Sequence, residues 1–198
     1  MNLFLRYFFA IFLFSCAISC STEEKKTFSG TALGSARIKS LDGKIFQASD
    51  LLKGQRASVI YFLMPGCPMC ESYTLTINEL DNKFSGKGIS FCGIFSSDYY
   101  SDDEIISYRD DYKVKIPLYR DVDFELTHLL GAVVTPQVFV IDSAATILYS
   151  GSIDNLAFGI GKLKLEATEF FLNDALENIA SGKPVAVKST AAYGCIIE

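Results

Sequence analysis

The chain has no tryptophan and a single histidine, His128, among its 198 residues. A structural zinc site needs a second Cys/His pair beside Cys67 and Cys70, and none is present. There are 18 basic residues against 23 acidic ones, giving a net charge of −5 without a basic patch. Nucleic acid is therefore not an expected partner. The one Lys-Lys pair, Lys25-Lys26, sits beside Glu23-Glu24 and reads as a solvated linker. No internal repeat or low-complexity tract occurs, and the length suits one globular domain with a leader and a tail. Leu3 to Ile18 is almost wholly apolar, too short for a comfortable membrane span and about right for a secretory signal core.

What is present centres on Met64-Pro65-Gly66-Cys67-Pro68-Met69-Cys70. An unbroken apolar run, Ala57 to Leu63, precedes it, as expected of a strand covered on both faces of a parallel sheet. Met69, Tyr73, Ile77, Leu80 and Phe84 follow at intervals that place them on one helix face. Pro68 fits the first helical position, where its missing N–H costs nothing, which makes Cys67 the N-cap. A thiolate there is stabilised by the positive end of the helix dipole, so a lowered pKa is expected. Cys70, one turn on, turns toward the core. An exposed acidic thiol beside a shielded one suits reversible disulfide exchange.

Gly86-Lys87-Gly88 breaks the chain before a second buried strand, Ile89 to Phe95, and the strand–helix–strand spacing is that of a right-handed βαβ unit. Upstream, Ala36 to Ser40 and Lys44 to Gln47 flank Leu41-Asp42-Gly43 as a hairpin. Ser101-Asp102-Asp103-Glu104 starts a helix running to about Tyr112. Asp123 is expected to cap a helix that Gly131 closes after Leu130. Gln137–Ile141 and Thr146–Ser150 read as strands, and Glu166–Ala180 as the last helix. Cys92, inside a strand, reads as a small hydrophobe, and His128 as a partly exposed helix residue. Glu71 favours the helix N-terminus but opposes a neighbouring thiolate. No acid lies within Ala57–Leu63 to accept a proton from the pair.

Strand, Cys67-Pro68-Met69-Cys70, helix and the later Thr135-Pro136 resemble the thioredoxin superfamily, and within it the extracytoplasmic, membrane-anchored redoxins of the TlpA-like kind. The likeness covers roughly 35–181, with Pro65-Gly66 in place of the usual aromatic approach to the first cysteine. It implies an α/β fold, a central mixed β-sheet flanked by helices, with an N-terminal β-hairpin and an extended C-terminal tail. It implies an enzyme, a thiol–disulfide oxidoreductase needing no cofactor, in which Cys67 attacks and Cys70 resolves. It also implies that Pro136 is cis and packs against the dithiol, and that Thr135 offers backbone hydrogen bonds to a substrate chain. The partners expected are protein thiols and disulfides and an upstream redox donor, met by a monomer. A copper chaperone of the Sco type has three residues between its cysteines, against two here, and its histidine follows the proline that His128 precedes. A thiol peroxidase has a threonine upstream of its reactive cysteine, whereas 59–66 holds no Thr or Ser.

The leader ends in Ala17-Ile18-Ser19-Cys20, which resembles a bacterial lipoprotein cleavage box with Cys20 as the acylated residue. The alternative, Leu13-Phe14-Ser15-Cys16, puts a bulky Phe where a smaller residue is usual. The expected organisation is a signal over 1–19, a polar tether over 20–34, the domain over 35–181 and a tail over 182–198, anchored to a membrane of the bacterial cell envelope on its extracytoplasmic side. The tail carries Gly194-Cys195-Ile196-Ile197 and resembles that of a redoxin lipoprotein subgroup ending in a Gly-Cys motif. Two readings stand for it: an apolar extension packed along the domain, or a third thiol. From Ser181 to Cys195 the chain spans up to ~45–50 Å when extended, ample to reach the dithiol. Cys195 can there cap Cys67 as an internal disulfide or join a soft-metal site with Cys67 and Cys70. Mass spectrometry of the membrane-extracted protein is expected to find an acylated Cys20 at the mature amino terminus; an unmodified Cys20 removes the anchor.

Overall fold

The computed structural model describes residues 30–96 and 98–198, so the leader and the acylation candidates Cys16 and Cys20 lie outside the described residues. A short helix α1 (Gly30–Ser35) leads into the hairpin β1 (Arg37–Ser40) and β2 (Ile45–Gln47). Leu33 of α1 is buried, so the packed domain begins within the stretch expected as a tether. After a 3-10 turn at Ala48–Leu52 come β3 (Ala57–Leu63), α2 (Pro68–Phe84), β4 (Ile89–Phe95), α3 (Asp102–Asp111) and β5 (Leu118–Asp121). Then follow α4 (Glu125–Leu130), β6 (Val134–Thr135), β7 (Gln137–Asp142), β8 (Ile147–Gly151), β9 (Ala157–Gly159), β10 (Lys162–Leu163), α5 (Phe171–Ala180) and β11 (Cys195–Ile196).

Seven strands form one mixed sheet in the order β2-β1-β5-β4-β3-β7-β8, with β3, β4 and β5 parallel and the others antiparallel to their neighbours. Its two faces bury two apolar layers, and β3 shows why its run is continuous. Val59, Tyr61 and Leu63 face Tyr73, Ile77 and Phe84 of α2 together with Leu172 and Leu176 of α5. Ile60 and Phe62 point the other way, to Leu33, Leu126 and Leu130. A period of two on a strand covered twice gives no solvent-facing position, and its one aliphatic hydroxyl, that of Ser58, is buried and donates to the Leu51 carbonyl at 2.6 Å.

Two expectations change at element ends, and one small element was not expected. α5 starts at Phe171, not at 166, because the Asn155 side chain holds the preceding segment: its Oδ1 accepts the Thr168 and Glu169 N–H groups at 2.9 and 3.2 Å. Asp121, not Asp123, serves the start of α4, its carboxylate accepting the Leu126 and Thr127 N–H groups at 2.9 and 2.7 Å. The small hairpin of β9 and β10 falls where no strand was expected.

The tail runs along the free edge of β8 before crossing to the dithiol. Ser150 donates to the Lys188 carbonyl and accepts from Thr190 N–H, both at 3.0 Å, which satisfies edge groups that would otherwise face solvent. The Thr190 hydroxyl meets the Tyr149 hydroxyl at 2.7 Å and accepts the Ser152 N–H at 3.0 Å. Gly151 makes this approach possible: its φ is +146°, and a Cβ there would lie 2.5 Å from the Thr190 carbonyl oxygen and 2.8 Å from its nitrogen. Gly151→Ala is therefore expected to free the tail while the sheet stays folded. Limited proteolysis is expected to cleave between α5 and Cys195 in the variant and not in the parent.

Candidate active site

β3 ends at Leu63, and the loop through Gly66 delivers Cys67 to the N-cap of α2, with φ −86° and ψ 110° and Pro68 inside the first turn. The Cys67 carbonyl accepts Glu71 N–H at 3.0 Å, closing the first turn. The sulfur does not accept a backbone N–H of the first turn, the contact an N-cap side chain commonly makes. The sulfur turns instead across to the β6–β7 junction, where it lies 3.4 Å from the Thr135 carbonyl oxygen, and is bridged to Cys195 with 6.2 Å between the α-carbons.

This bridge corrects one expectation. Cys67 is not exposed: only 1% of its surface is accessible, because the tail lies over it. β11 pairs antiparallel with β6, Cys195 opposite Thr135 and Ile196 opposite Val134, and Ile197 N–H donates to the Val133 carbonyl at 3.0 Å. Ile197 packs on the core, whereas Ile196 remains 66% exposed. Gly194 passes against the Thr135–Pro136 peptide, whose bond is cis.

Cys70 is a free thiol with no accessible surface. Burial pushes its pKa up to about 12, although hydrogen bonds from the Thr135 side chain and the Met64 backbone oppose the rise and the Glu71 charge adds to it. The Tyr108 hydroxyl donates to the Cys70 carbonyl at 3.3 Å. Thr135 thus meets both halves of the bridge: its carbonyl faces the Cys67 sulfur, and its hydroxyl donates to the Cys195 carbonyl at 3.5 Å. That second role was not read from the sequence, where only the Thr135 backbone was considered. The Glu71 carboxylate raises the pKa of the neighbouring Tyr112 hydroxyl.

The described site residues therefore come together: Cys67, Cys70, Thr135, Pro136 and Cys195 share one locus at the N-terminus of α2. Cys92 is buried on the opposite face of the sheet, and His128 is exposed on α4 against the Phe124 ring. Among the described residues no three His, Cys, Asp or Glu side chains are grouped to hold a metal ion. The bridge occupies two of the three thiols that the soft-metal alternative requires. Among the described residues no helix is long and apolar enough to cross a membrane.

A family model described as the AhpC/TSA family matches residues 29–150. No curated protein matches the chain. Of solved structures, an uncharacterized conserved protein from Geobacillus kaustophilus is 22% identical with a TM-score of 0.73, over 89% of this chain and 93% of its own. A hypothetical protein from Sinorhizobium meliloti 1021 is 22% identical with a TM-score of 0.69, over 88% and 97%. A secreted Mycobacterium tuberculosis disulfide oxidoreductase homologous to E. coli DsbE is 15% identical with a TM-score of 0.53, over 78% and 99%. These likenesses show the fold.

The position of Cys70 has a direct consequence for its chemistry. In the bridged chain it is expected to resist alkylation at pH 8, because the thiolate is rare and the sulfur covered, and to react only as pH approaches 12. Mass spectrometry after iodoacetamide treatment across pH reads this; rapid labelling at pH 8 contradicts it.

Proposed function

The chain belongs to the AhpC/TSA family, redoxins of thioredoxin-like fold, and from that premise we propose that it is a lipid-anchored, extracytoplasmic oxidoreductase exchanging disulfides with other proteins. Cys67 is the sulfur that attacks and is attacked, Cys70 resolves from beneath it, and Thr135 with Pro136 binds the substrate chain. The observation that carries this reading is that Cys67 is joined through sulfur to an extended polypeptide whose backbone pairs with Thr135. A mixed disulfide between an oxidoreductase and a protein substrate needs that combination: a covalent sulfur link, and a strand edge to hold the chain in line.

The chemistry of the two thiols supports the assignment of roles. Reduced Cys67 lies at the positive end of the 17-residue helix α2, where a thiolate is favoured. Cys70 is held as a thiol by burial, and the hydrogen bonds from the Thr135 side chain and the Met64 backbone favour the thiolate it must become to attack. The apolar leader and the Ala17-Ile18-Ser19-Cys20 box support anchoring through Cys20. The secreted disulfide oxidoreductase of like fold accords with a site outside the cytoplasm.

A second reading, a thiol peroxidase, is favoured by the bridge itself: a peroxidatic Cys67 oxidised to a sulfenic acid would condense with Cys195 and leave it. The absence of Thr or Ser across 59–66 weighs against that. Cys67→Ser is expected to lower reduction of a protein disulfide by ~10³-fold. Cys70→Ser combined with Cys195→Ser, which removes both thiols able to resolve, is expected to leave the first attack intact and to accumulate mixed disulfides visible on non-reducing gels. Rapid hydroperoxide consumption by the parent, with protein disulfides left untouched, transfers the assignment to the peroxidase.

A further inference from the structure

The end of the tail occupies the substrate side of Cys67 in the form of a polypeptide. A backbone ladder such as β6–β11 reads no sequence; selectivity enters where a side chain meets, or cannot meet, the surface. One position here is closed to side chains. A Cβ on Gly194 would lie 2.7 Å from the carbonyl carbon of Thr135 and 3.3 Å from the Pro136 nitrogen. Both are backbone atoms at the β6–β7 junction, and β7 is paired on both sides, to β3 and β8, so neither can swing aside as a side chain does. The next positions are open: Cys195 is half-buried over the dithiol, and Ile196 projects beside a shallow cleft lined by Met64, Tyr99 and Tyr100.

We propose that the Val133–Thr135 edge is a polypeptide-binding site that selects an extended segment with glycine immediately before its redox cysteine, and that residues 194–197 are its tethered occupant. This rests on the reading of Cys67 as the exchanging sulfur. In the reduced chain the tail end is not covalently held, and a substrate segment takes its place along Thr135. The Cys67 thiolate attacks the substrate disulfide; the Cys67–substrate bond forms, and the second substrate sulfur leaves as a thiolate and takes up the proton Cys67 released. Cys70 then attacks Cys67 and frees the first substrate sulfur with the proton of Cys70. The substrate gains two electrons and two protons, which the two protein thiols lose. Finally Cys195 attacks Cys67 and displaces Cys70, the proton passing from Cys195 to Cys70, and the tail returns to its place with no net change in oxidation state.

The test uses the full chain with Cys195→Ser, reduced, and two hexapeptides, Ala-Tyr-Gly-Cys-Ile-Ile and Ala-Tyr-Ala-Cys-Ile-Ile, each carrying a thiopyridyl leaving group on its cysteine. The glycine peptide is expected to release thiopyridone at least about tenfold faster, the discrimination that one excluded methyl group allows. Equal rates overturn the proposal; if a small aromatic disulfide still reacts at Cys67, the oxidoreductase reading survives. A Cys67 inert toward all three reagents overturns both. A second variant, Gly194→Ala in the otherwise unaltered chain, is expected to weaken the Cys67–Cys195 bridge by at least about tenfold in a glutathione redox buffer. An unchanged bridge equilibrium overturns the proposal.

Discussion

The tail can reach Cys67 only because two backbones pass closer at Gly194 and the Thr135–Pro136 peptide than any side chain would permit. On that approach depend the antiparallel register of Cys195 with Thr135, the 6.2 Å separation that lets the bridge close, and the cover that leaves Cys67 almost without accessible surface. Gly151 plays the same part at the middle of the tail, where Thr190 sits over its α-carbon. Two glycines far apart in sequence therefore define one path, and the side chains between them keep their ordinary roles: Val185 packs on the core, and the Thr190 hydroxyl is bonded.

The central part of this arrangement was legible because local rules decide it. The apolar run Ala57–Leu63 has to be a strand covered on both faces, and Pro68 has to stand at a helix start, which fixes Cys67 as N-cap and turns Cys70 inward. Pro136, unable to donate to a ladder, falls just before β7. What escaped was decided by partners distant in sequence. β6 and β11 are two residues each, too short for any periodicity, and exist because they pair with one another. The start of α5 is set by Asn155 from across a loop. The burial of Cys67 belongs to the same class, since its cover arrives from 128 residues downstream.

The energetics of the tail show why its end can act separately from its middle. Closing a loop across 128 residues removes about 5 kcal/mol of unfolded-chain entropy in the simple chain model. When the bridge opens that contribution is lost, and the segments of the tail no longer share one fate. The middle keeps two backbone hydrogen bonds to Ser150 and the bonded Thr190 hydroxyl. The end keeps the short ladder on Val133–Thr135, where each bond is worth roughly 1 kcal/mol net, similar to the entropy of fixing one residue. The end is thus close to balance and exchanges readily, while the middle stays seated on β8. An end tethered a few residues away returns at an effective concentration on the order of millimolar. Another polypeptide must therefore either be abundant or engage more of the surface, and Ile196, open beside Met64 and the two tyrosines, marks where those additional contacts lie.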